Sequence, residues 1–295
     1  MKKFLIIIRI PQTDFKFHLL YAFIASDIDK NAKTDAITYI FSRICAKISV
    51  SVDGMSRKGG AVMDIFKREK YLKRIRGFYD SNDLIKVITG VRRCGKSTLM
   101  QMIAQELKEQ GVPEERIVYL NLDKREYRNI KTADQLEELI ASVIKVDGQN
   151  YLFIDEIQNV DGFEEVVNGF REDGNCSIFI TGSNSYLLSG ELATKLTGRY
   201  MEFEMYTLTF DEYEQMKEFY HVPVNVNSLI ELQSFILEGG FPRTVLIESL
   251  QDKRSYTESV VQEIFEKDIR HRVKVKNKES FESIRQYLIN NFGAT

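Results

Sequence analysis

The sequence predicts a doubly wound α/β fold, in which helices cover both faces of a parallel β-sheet. Three observations support this prediction. Short apolar runs that favour β-strands recur at residues 84–89, 117–121 and 151–154. Segments with helical apolar spacing lie between them, and strands that alternate with helices at this distance form parallel sheets. The first run leads into a glycine-rich loop and then a helix, which is the arrangement of a phosphate-binding loop.

The glycine-rich loop has the pattern Gly90-x-x-x-x-Gly95-Lys96-Ser97. The glycines let the backbone turn with its N–H groups directed inward, while Lys96 can reach the β- and γ-phosphates of a nucleotide. Ser97 can place its hydroxyl on Mg²⁺. A glycine-rich turn that only caps a helix is disfavoured by the preceding strand, so we expect bound ATP with Mg²⁺. The residues expected to contact the nucleotide are Gly90, Val91, Arg92, Arg93, Cys94, Gly95, Lys96, Ser97 and Thr98.

Composition and charge set broad limits on the kind of protein. A chain of 295 residues suffices for one large domain or two ordinary ones, and 43% apolar with 28% charged residues is typical of soluble globular proteins. The formal net charge of −2 gives no general attraction to nucleic acid or to an anionic membrane. Three cysteines without paired spacing indicate neither a disulfide framework nor a zinc site. We therefore expect a reducing, cytoplasmic setting.

Residues 1–62 differ in character from the rest of the chain. The apolar start is interrupted by Arg9, Pro11 and Asp14, and no later apolar run in this stretch is long enough to cross a membrane. Residues 53–60 have the composition of a flexible linker. Two interpretations remain open. The stretch is a small accessory segment, or it is upstream sequence read from an early start codon, with Met63 as the natural start.

Basic residues are concentrated just ahead of the phosphate loop, among apolar residues at helical spacing. A solvated helix face explains this pattern, and contact with nucleic acid is the alternative. The basic residues are Lys67, Arg68, Lys70, Lys73, Arg74 and Arg76.

Polar residues follow two later strands at their carboxyl ends. Asp155 and Glu156 come directly after the run 151–154. We expect Asp155 to hold Mg²⁺ or its waters, and Glu156 to orient or deprotonate the attacking water, although both could simply cap the next helix. Asn184 follows the strand at 177–181, where it could hydrogen-bond the γ-phosphate or the water, with an ordinary turn as the alternative. We expect this strand to lie between those that carry Lys96 and Asp155.

Five segments follow one another along the chain: the phosphate loop and residues 153–158, 180–184, 197–199 and 239–242. In this order they resemble the AAA-type, archaeal-like ATPases of prokaryotes, over residues 63–295. The resemblance implies the additional-strand, catalytic-glutamate class of phosphate-loop ATPase. It also implies Walker B roles for Asp155 and Glu156, and a sensor role for Asn184. Relatives usually continue into a C-terminal domain that is often suspected of binding DNA or acting as an effector.

Arg199 opens the next predicted strand, after Gly198. A guanidinium that projects beyond the sheet edge could reach a γ-phosphate in its own subunit or in a neighbouring one. A surface salt bridge to Glu202 or Glu204 explains the residue equally well. Beyond this strand the apolar spacing is mostly helical. We expect an N-terminal extension over residues 1–62, a phosphate-loop ATPase core over 63–205 and a helical lid over 206–295.

Taken together, these features predict a Mg²⁺-dependent ATPase that acts as a regulatory or motor-type module, with a lid that reports nucleotide state. One alternative is a slow nucleotide-dependent switch whose output is partner binding. A small-molecule kinase is a second, although Glu156 argues against it because transfer to a substrate needs no glutamate directed at water. A third is a DNA-binding module gated by ATP. Expected partners are ATP and, through the lid, DNA or protein; homo-oligomerisation stays open, and no membrane partner is expected.

Overall fold

The structure is a computed structural model, which describes residues 65–182, 196, 198–270 and 278–290. All of these residues belong to one unit of the chain, which begins at Asp64. The predicted extension over residues 1–62 lies outside the described part. None of the helices described is long and apolar enough to span a membrane.

In the part of the chain that the structure describes, strands and helices alternate up to Thr181, and the elements after Met205 are helical. The strands are β1 (Ile85–Gly90), β2 (Ile117–Asn121), β3 (Asn150–Asp155), β4 (Cys176–Thr181) and β5 (Tyr200–Met205). The helices up to β5 are α1 (Glu69–Ile75), α2 (Lys96–Glu109), α3 (Ala133–Val143) and α4 (Phe163–Glu172). The later helices are α5 (Phe210–Phe219), α6 (Ser228–Glu238), α7 (Leu250–Glu263) and α8 (Lys278–Asn290).

The strands form one parallel sheet in the order β2-β3-β4-β1-β5. Strand β4 therefore lies between β1, which leads into the phosphate loop, and β3, which ends in Asp155. This confirms the predicted position of the additional strand. Because all of these strands run in the same direction, their carboxyl ends meet at one edge of the sheet.

Helices pack on both faces of the sheet, as predicted. Successive side chains of a strand point to opposite faces, so Leu152 and Ile154 join one apolar cluster while Phe153 joins the other. The first cluster includes residues of α3 and α4, and the second includes residues of α1 and α2. In the second cluster the rings of Phe153 and Phe179 stack with centroids 4.7 Å apart. The fold is therefore a doubly wound α/β sheet.

Helices α5 and α6 contribute to a further small apolar cluster, which includes Tyr213 and Met216, and Phe66 from the segment before α1 packs against it. Helix α5 begins with a capping box, in which the Thr209 side chain and the Glu212 side chain each bond the other residue's backbone N–H. Buried ion pairs join the helices: Lys217 of α5 contacts Glu231 of α6, and Lys253 of α7 contacts Glu238 of α6.

Candidate functional site

The phosphate loop connects the last residue of β1 to the first turn of α2. Gly90 has φ +144° and Gly95 has φ +109°, which are conformations that residues with a Cβ rarely adopt. A Cβ on Gly90 would lie 2.3 Å from the carbonyl oxygen of Met205. Arg93, between the two glycines, also has a positive φ of 63°. The loop therefore presents the N-terminus of α2, with its free N–H groups and positive dipole end, to a ligand.

Lys96 is buried within this loop. Its Nζ donates hydrogen bonds to the carbonyl oxygens of Gly90 at 2.8 Å and Val91 at 3.2 Å. The ammonium group is thus held inside the curve of the loop, in the position from which a lysine reaches terminal phosphates.

Asp155 lies at the carboxyl end of β3 and is 1% exposed. Its Oδ1 accepts a hydrogen bond from the Thr181 hydroxyl at 2.5 Å, and its Oδ2 accepts one from the Asn121 amide at 3.2 Å. A carboxylate has about four acceptor positions, so two more bonds remain available to a metal or to its waters. Neighbouring strands β2 and β4 therefore fix the carboxylate without saturating it.

Glu156 follows Asp155 in a left-handed conformation, with φ 59°. Its backbone N–H donates to the Thr181 hydroxyl at 3.1 Å. Glu156 occupies the N-cap position of a short 3₁₀ turn, Ile157–Asn159, but makes no capping bond with its side chain. Its carboxylate instead accepts a hydrogen bond from the side-chain amide of Gln158. The alternative in which Glu156 only caps a helix is therefore not supported.

The oxygen atoms of Ser97 and Asp155 are of the kind that Mg²⁺ binds. Ser97 and Asp155 line the same cleft, and Mg²⁺ binds through few protein oxygens while it keeps several waters. The Tyr119 hydroxyl donates to the Ser97 carbonyl oxygen at 3.2 Å. Burial raises the pKa of Tyr119, and the nearby charge of Asp155 raises it further. Tyr119 therefore joins the first turn of α2 to the acidic end of β3.

The cleft lies between the phosphate loop and the C-terminal helices and has a volume of about 670 Å³, within the usual range for small-molecule sites. Its polar part is formed by the loop and the two carboxylates. Residues Phe66 and Met216 contribute apolar surface, while Arg243 and Lys267 bring positive charge from the C-terminal segment. The positive charge suits phosphate groups, and the apolar surface can pack against an aromatic ring.

Several residues of this site were not predicted from the sequence. Thr181 and Arg243 lie in or beside segments that carry the family resemblance, and Asn121 ends a predicted strand. The sequence patterns therefore indicated the positions of these residues, but not the contacts that they make. No motif indicated Arg68. Like the rest of the basic segment it was expected on a solvated helix face, yet only 4% of the residue is exposed.

Among the described residues that were predicted for the site, Gly90, Val91 and Cys94 belong to the loop without lining the cleft, and Arg199 does not line it either. Asn184 lies outside the described residues. Arg199 directly precedes β5, and its carbonyl oxygen accepts a hydrogen bond from the Ile85 N–H at 2.9 Å, at the start of β1. The phosphate loop leaves the other end of β1, about 16 Å away at the rise of a β-strand. This placement does not support action of Arg199 within its own subunit, and its action on a neighbouring subunit stays a prediction.

The expected surface salt bridge of Arg199 is also different from the prediction. Its Nη2 lies 4.0 Å from the carboxylate of Glu172, at the end of α4, and not beside Glu202 or Glu204. Glu202 instead accepts a hydrogen bond from the Thr89 hydroxyl at 2.7 Å. The reason is the direction of β5: its first residues meet the edge of the sheet at which α4 ends.

Comparison with known proteins shows which family this chain resembles. Residues 82–214 match the family model described as an AAA domain. An uncharacterized protein of Haemophilus influenzae is 39% identical over 235 residues, which are 78% of this chain and 56% of that protein. An uncharacterized protein of Methanocaldococcus jannaschii is 34% identical over 236 residues, 78% of this chain and 52% of the other. This chain thus spans about half the length of both relatives.

Solved structures show a more distant likeness. AMPPCP-bound DnaA from Aquifex aeolicus has a TM-score of 0.43 at 16% identity, over 79% of this chain and 71% of the other. Domain III of the Thermotoga maritima replication initiation protein DnaA also has a TM-score of 0.43, at 13% identity, over 67% and 88% of the two chains. Likeness at this level is too distant to indicate a shared function.

Proposed function

We propose that this chain, in which residues 82–214 match the model of an AAA domain, binds ATP with Mg²⁺ and hydrolyses it to ADP and phosphate. The observation that carries the proposal is the shared cleft, which the phosphate loop, Asp155 and Glu156 line together. A lysine, a magnesium-binding carboxylate and a second, unsaturated carboxylate in one cleft are the parts that phosphoryl transfer to water requires.

In this proposal the loop binds the phosphates through its inward N–H groups, and the Lys96 ammonium exchanges its carbonyl contacts for the β- and γ-phosphates. Ser97 and Asp155 hold Mg²⁺, directly or through its waters. When bound, Mg²⁺ neutralises charge that develops on the phosphate oxygens. Thr181 and Asn121 fix Asp155, so the metal ligand needs no rearrangement during the reaction.

Glu156 is proposed as the general base. It takes a proton from a water whose oxygen forms a bond to the γ-phosphorus, while the bond from that phosphorus to the bridging oxygen breaks and ADP leaves. Gln158 holds the Glu156 carboxylate by its amide. Asn184 is proposed to orient the water or the γ-phosphate, as the family resemblance implies.

Residues 63–205 are proposed as the ATPase core, and the helices from residue 206 onward as a lid. The lid lines the cleft through Met216, Arg243 and Lys267, so a bound nucleotide would contact both parts and favour one arrangement of them. This supports a regulatory or motor-type role. The alternative is a slow switch, in which the lid changes its affinity for DNA or for a protein and turnover matters little.

Substitution of the proposed base tests the hydrolysis. Glu156→Gln keeps the shape but cannot accept a proton, so ATP should bind normally while turnover falls by about 10²- to 10⁴-fold. Asp155→Asn should in addition raise the Mg²⁺ concentration needed. Glu138→Gln, an exposed glutamate on α3, is the matched control and should behave as wild type. Wild-type turnover in Glu156→Gln would refute the assignment, and a wild-type protein that binds ATP without turnover would favour the switch.

A further inference from the structure

Arg68, which directly precedes α1, connects three separate parts of the molecule. Its Nη1 donates to the carbonyl oxygen of Cys94 in the phosphate loop at 3.0 Å, and to that of Tyr206 at 2.9 Å. Its Nη2 donates to the carbonyl oxygen of Thr207 at 3.2 Å. Nε and Nη2 also bind the Glu212 carboxylate of α5, at 2.9 and 2.7 Å. Nη2 also makes a longer contact with the Tyr71 hydroxyl at 3.5 Å. Guanidinium has five N–H donors, and these bonds use all of them.

At the loop, Arg68 fixes one peptide unit of the phosphate-binding backbone. A trans peptide directs its carbonyl and its N–H to opposite sides, so a Cys94 carbonyl held by Arg68 turns the Gly95 N–H away from Arg68. A cationic donor on the carbonyl also polarises the peptide and strengthens its N–H as a donor. The contact therefore acts on the orientation of the first N–H groups of α2.

At the other end, Arg68 holds the connection between the sheet and the lid. Tyr206 and Thr207 follow β5 directly, and Glu212 lies in the first turn of α5. The same Glu212 carboxylate accepts the Thr209 N–H at 3.0 Å and so also fixes the start of that helix. Because the guanidinium is rigid and planar, it cannot follow a displaced loop carbonyl without changing its bonds to this connection.

From these contacts we infer that Arg68 is a positioning residue that couples the phosphate loop to the lid. The inference rests on the proposed function: a nucleotide phosphate that draws in the Gly95 N–H also turns the Cys94 carbonyl, and Arg68 passes this change to Tyr206, Thr207 and Glu212. Binding and lid position then change together. No contact of Arg68 with the nucleotide is required.

The test compares variants of the full chain by hydrogen exchange of residues 206–219, with and without a non-hydrolysable ATP analogue. Arg68→Lys keeps the charge but loses the planar fork. Glu212→Gln keeps an N3 side chain able to cap α5 but weakens the pairing with Arg68. The matched control is Arg76→Lys, since Arg76 lies in the same segment and pairs with Glu69 and Glu106 instead.

In wild type and Arg76→Lys, the analogue should slow exchange of residues 206–219 about tenfold or more. In Arg68→Lys and Glu212→Gln the analogue should still bind within about fivefold of the wild-type affinity, yet it should slow exchange less than about twofold. In both variants kcat should fall by a larger factor than that by which KM changes. Slowing equal to wild type in both folded variants would overturn the coupling. If Arg68→Lys fails to fold, Glu212→Gln alone decides the matter. A wild-type protein that does not bind the analogue would instead refute the proposed function.

Discussion

Replacement of Gly90 by alanine should damage both the phosphate loop and the fold. The new Cβ would lie 2.3 Å from the carbonyl oxygen of Met205 and 2.9 Å from the sulfur of Cys94. The Met205 carbonyl cannot rotate away freely, because Gly90 and Met205 are the last paired residues of β1 and β5. The backbone must therefore shift, and it is the backbone that forms the nucleotide site and the connection to the lid.

Two costs add in this variant. A backbone conformation that only glycine adopts readily costs a residue with a Cβ about 1–3 kcal/mol, and here φ is +144°. Relief of a contact at 2.3 Å is an overpacking change, which costs about 1–3 kcal/mol. We therefore expect Gly90→Ala to lower the free energy of unfolding by about 2–6 kcal/mol. That is a large fraction of the about 5–15 kcal/mol typical of a domain.

Urea unfolding, with and without an ATP analogue, measures both effects. The variant should unfold at lower urea, and the analogue should stabilise it less than it stabilises wild type. Gly169→Ala is the matched control: Gly169 lies in α4 with no atom within 4 Å of an added Cβ. This control should be neutral or stabilised by up to about 1 kcal/mol. If Gly90→Ala unfolded at the wild-type midpoint and bound the analogue with wild-type affinity, the reasoning would be refuted.

Three further predictions concern the rest of the chain. Burial tends to raise the pKa of Glu212, but its bonds from Arg68 and Thr209 leave this pKa below the ordinary glutamate value of 4.5. The stabilisation by the ionised Glu212 carboxylate is therefore present above that pH and lost below it. Glu212→Gln should flatten the fall in melting temperature between about pH 5 and 3, and a fall as steep as in wild type would contradict this. A chain that begins at Met63 should melt and bind ATP like the full chain, whereas a melting temperature lower by several degrees would show that residues 1–62 stabilise the fold. If Arg199 acts on a neighbouring subunit, Arg199→Ala should lose turnover and regain part of it when mixed with Glu156→Gln; near-normal turnover of Arg199→Ala alone would leave only its ion pair.

The sheet and the centre of the site could be predicted because their signals are local. Apolar runs mark the strands, and the loop pattern follows the first run directly. A parallel sheet brings the carboxyl ends of its strands together, so Asp155 had to lie near Lys96 once both strands were recognised. The same rule also places Arg199. It precedes its strand, so it belongs at the opposite edge of the sheet from the phosphate loop of its own subunit.

Arg68 could not be predicted because its partners leave no mark in the sequence. Of the groups that it binds, the carbonyls of Cys94, Tyr206 and Thr207 would be present with any side chain at those positions. Glu212, its one charged partner, lies 144 residues away. In a run of basic residues at helical spacing, nothing distinguishes the buried arginine from its exposed neighbours. Only the fold, which brings the segment before α1 against the junction of loop and lid, selects it.

The buried charge of Arg68 also explains why the loop and the lid should resist independent motion. Removal of a guanidinium from water costs several kcal/mol, and this cost is offset only when its donors are satisfied. Here the loop satisfies one donor, the connection after β5 satisfies two, and Glu212 satisfies two. If either part moved alone, a buried donor would lose its partner, at about 1–3 kcal/mol for each one. An apolar contact of the same area could slide with little loss of free energy, because it has no directional bonds. The arginine therefore favours joint movement of the loop and the lid, whereas a hydrophobic side chain would permit each to move separately.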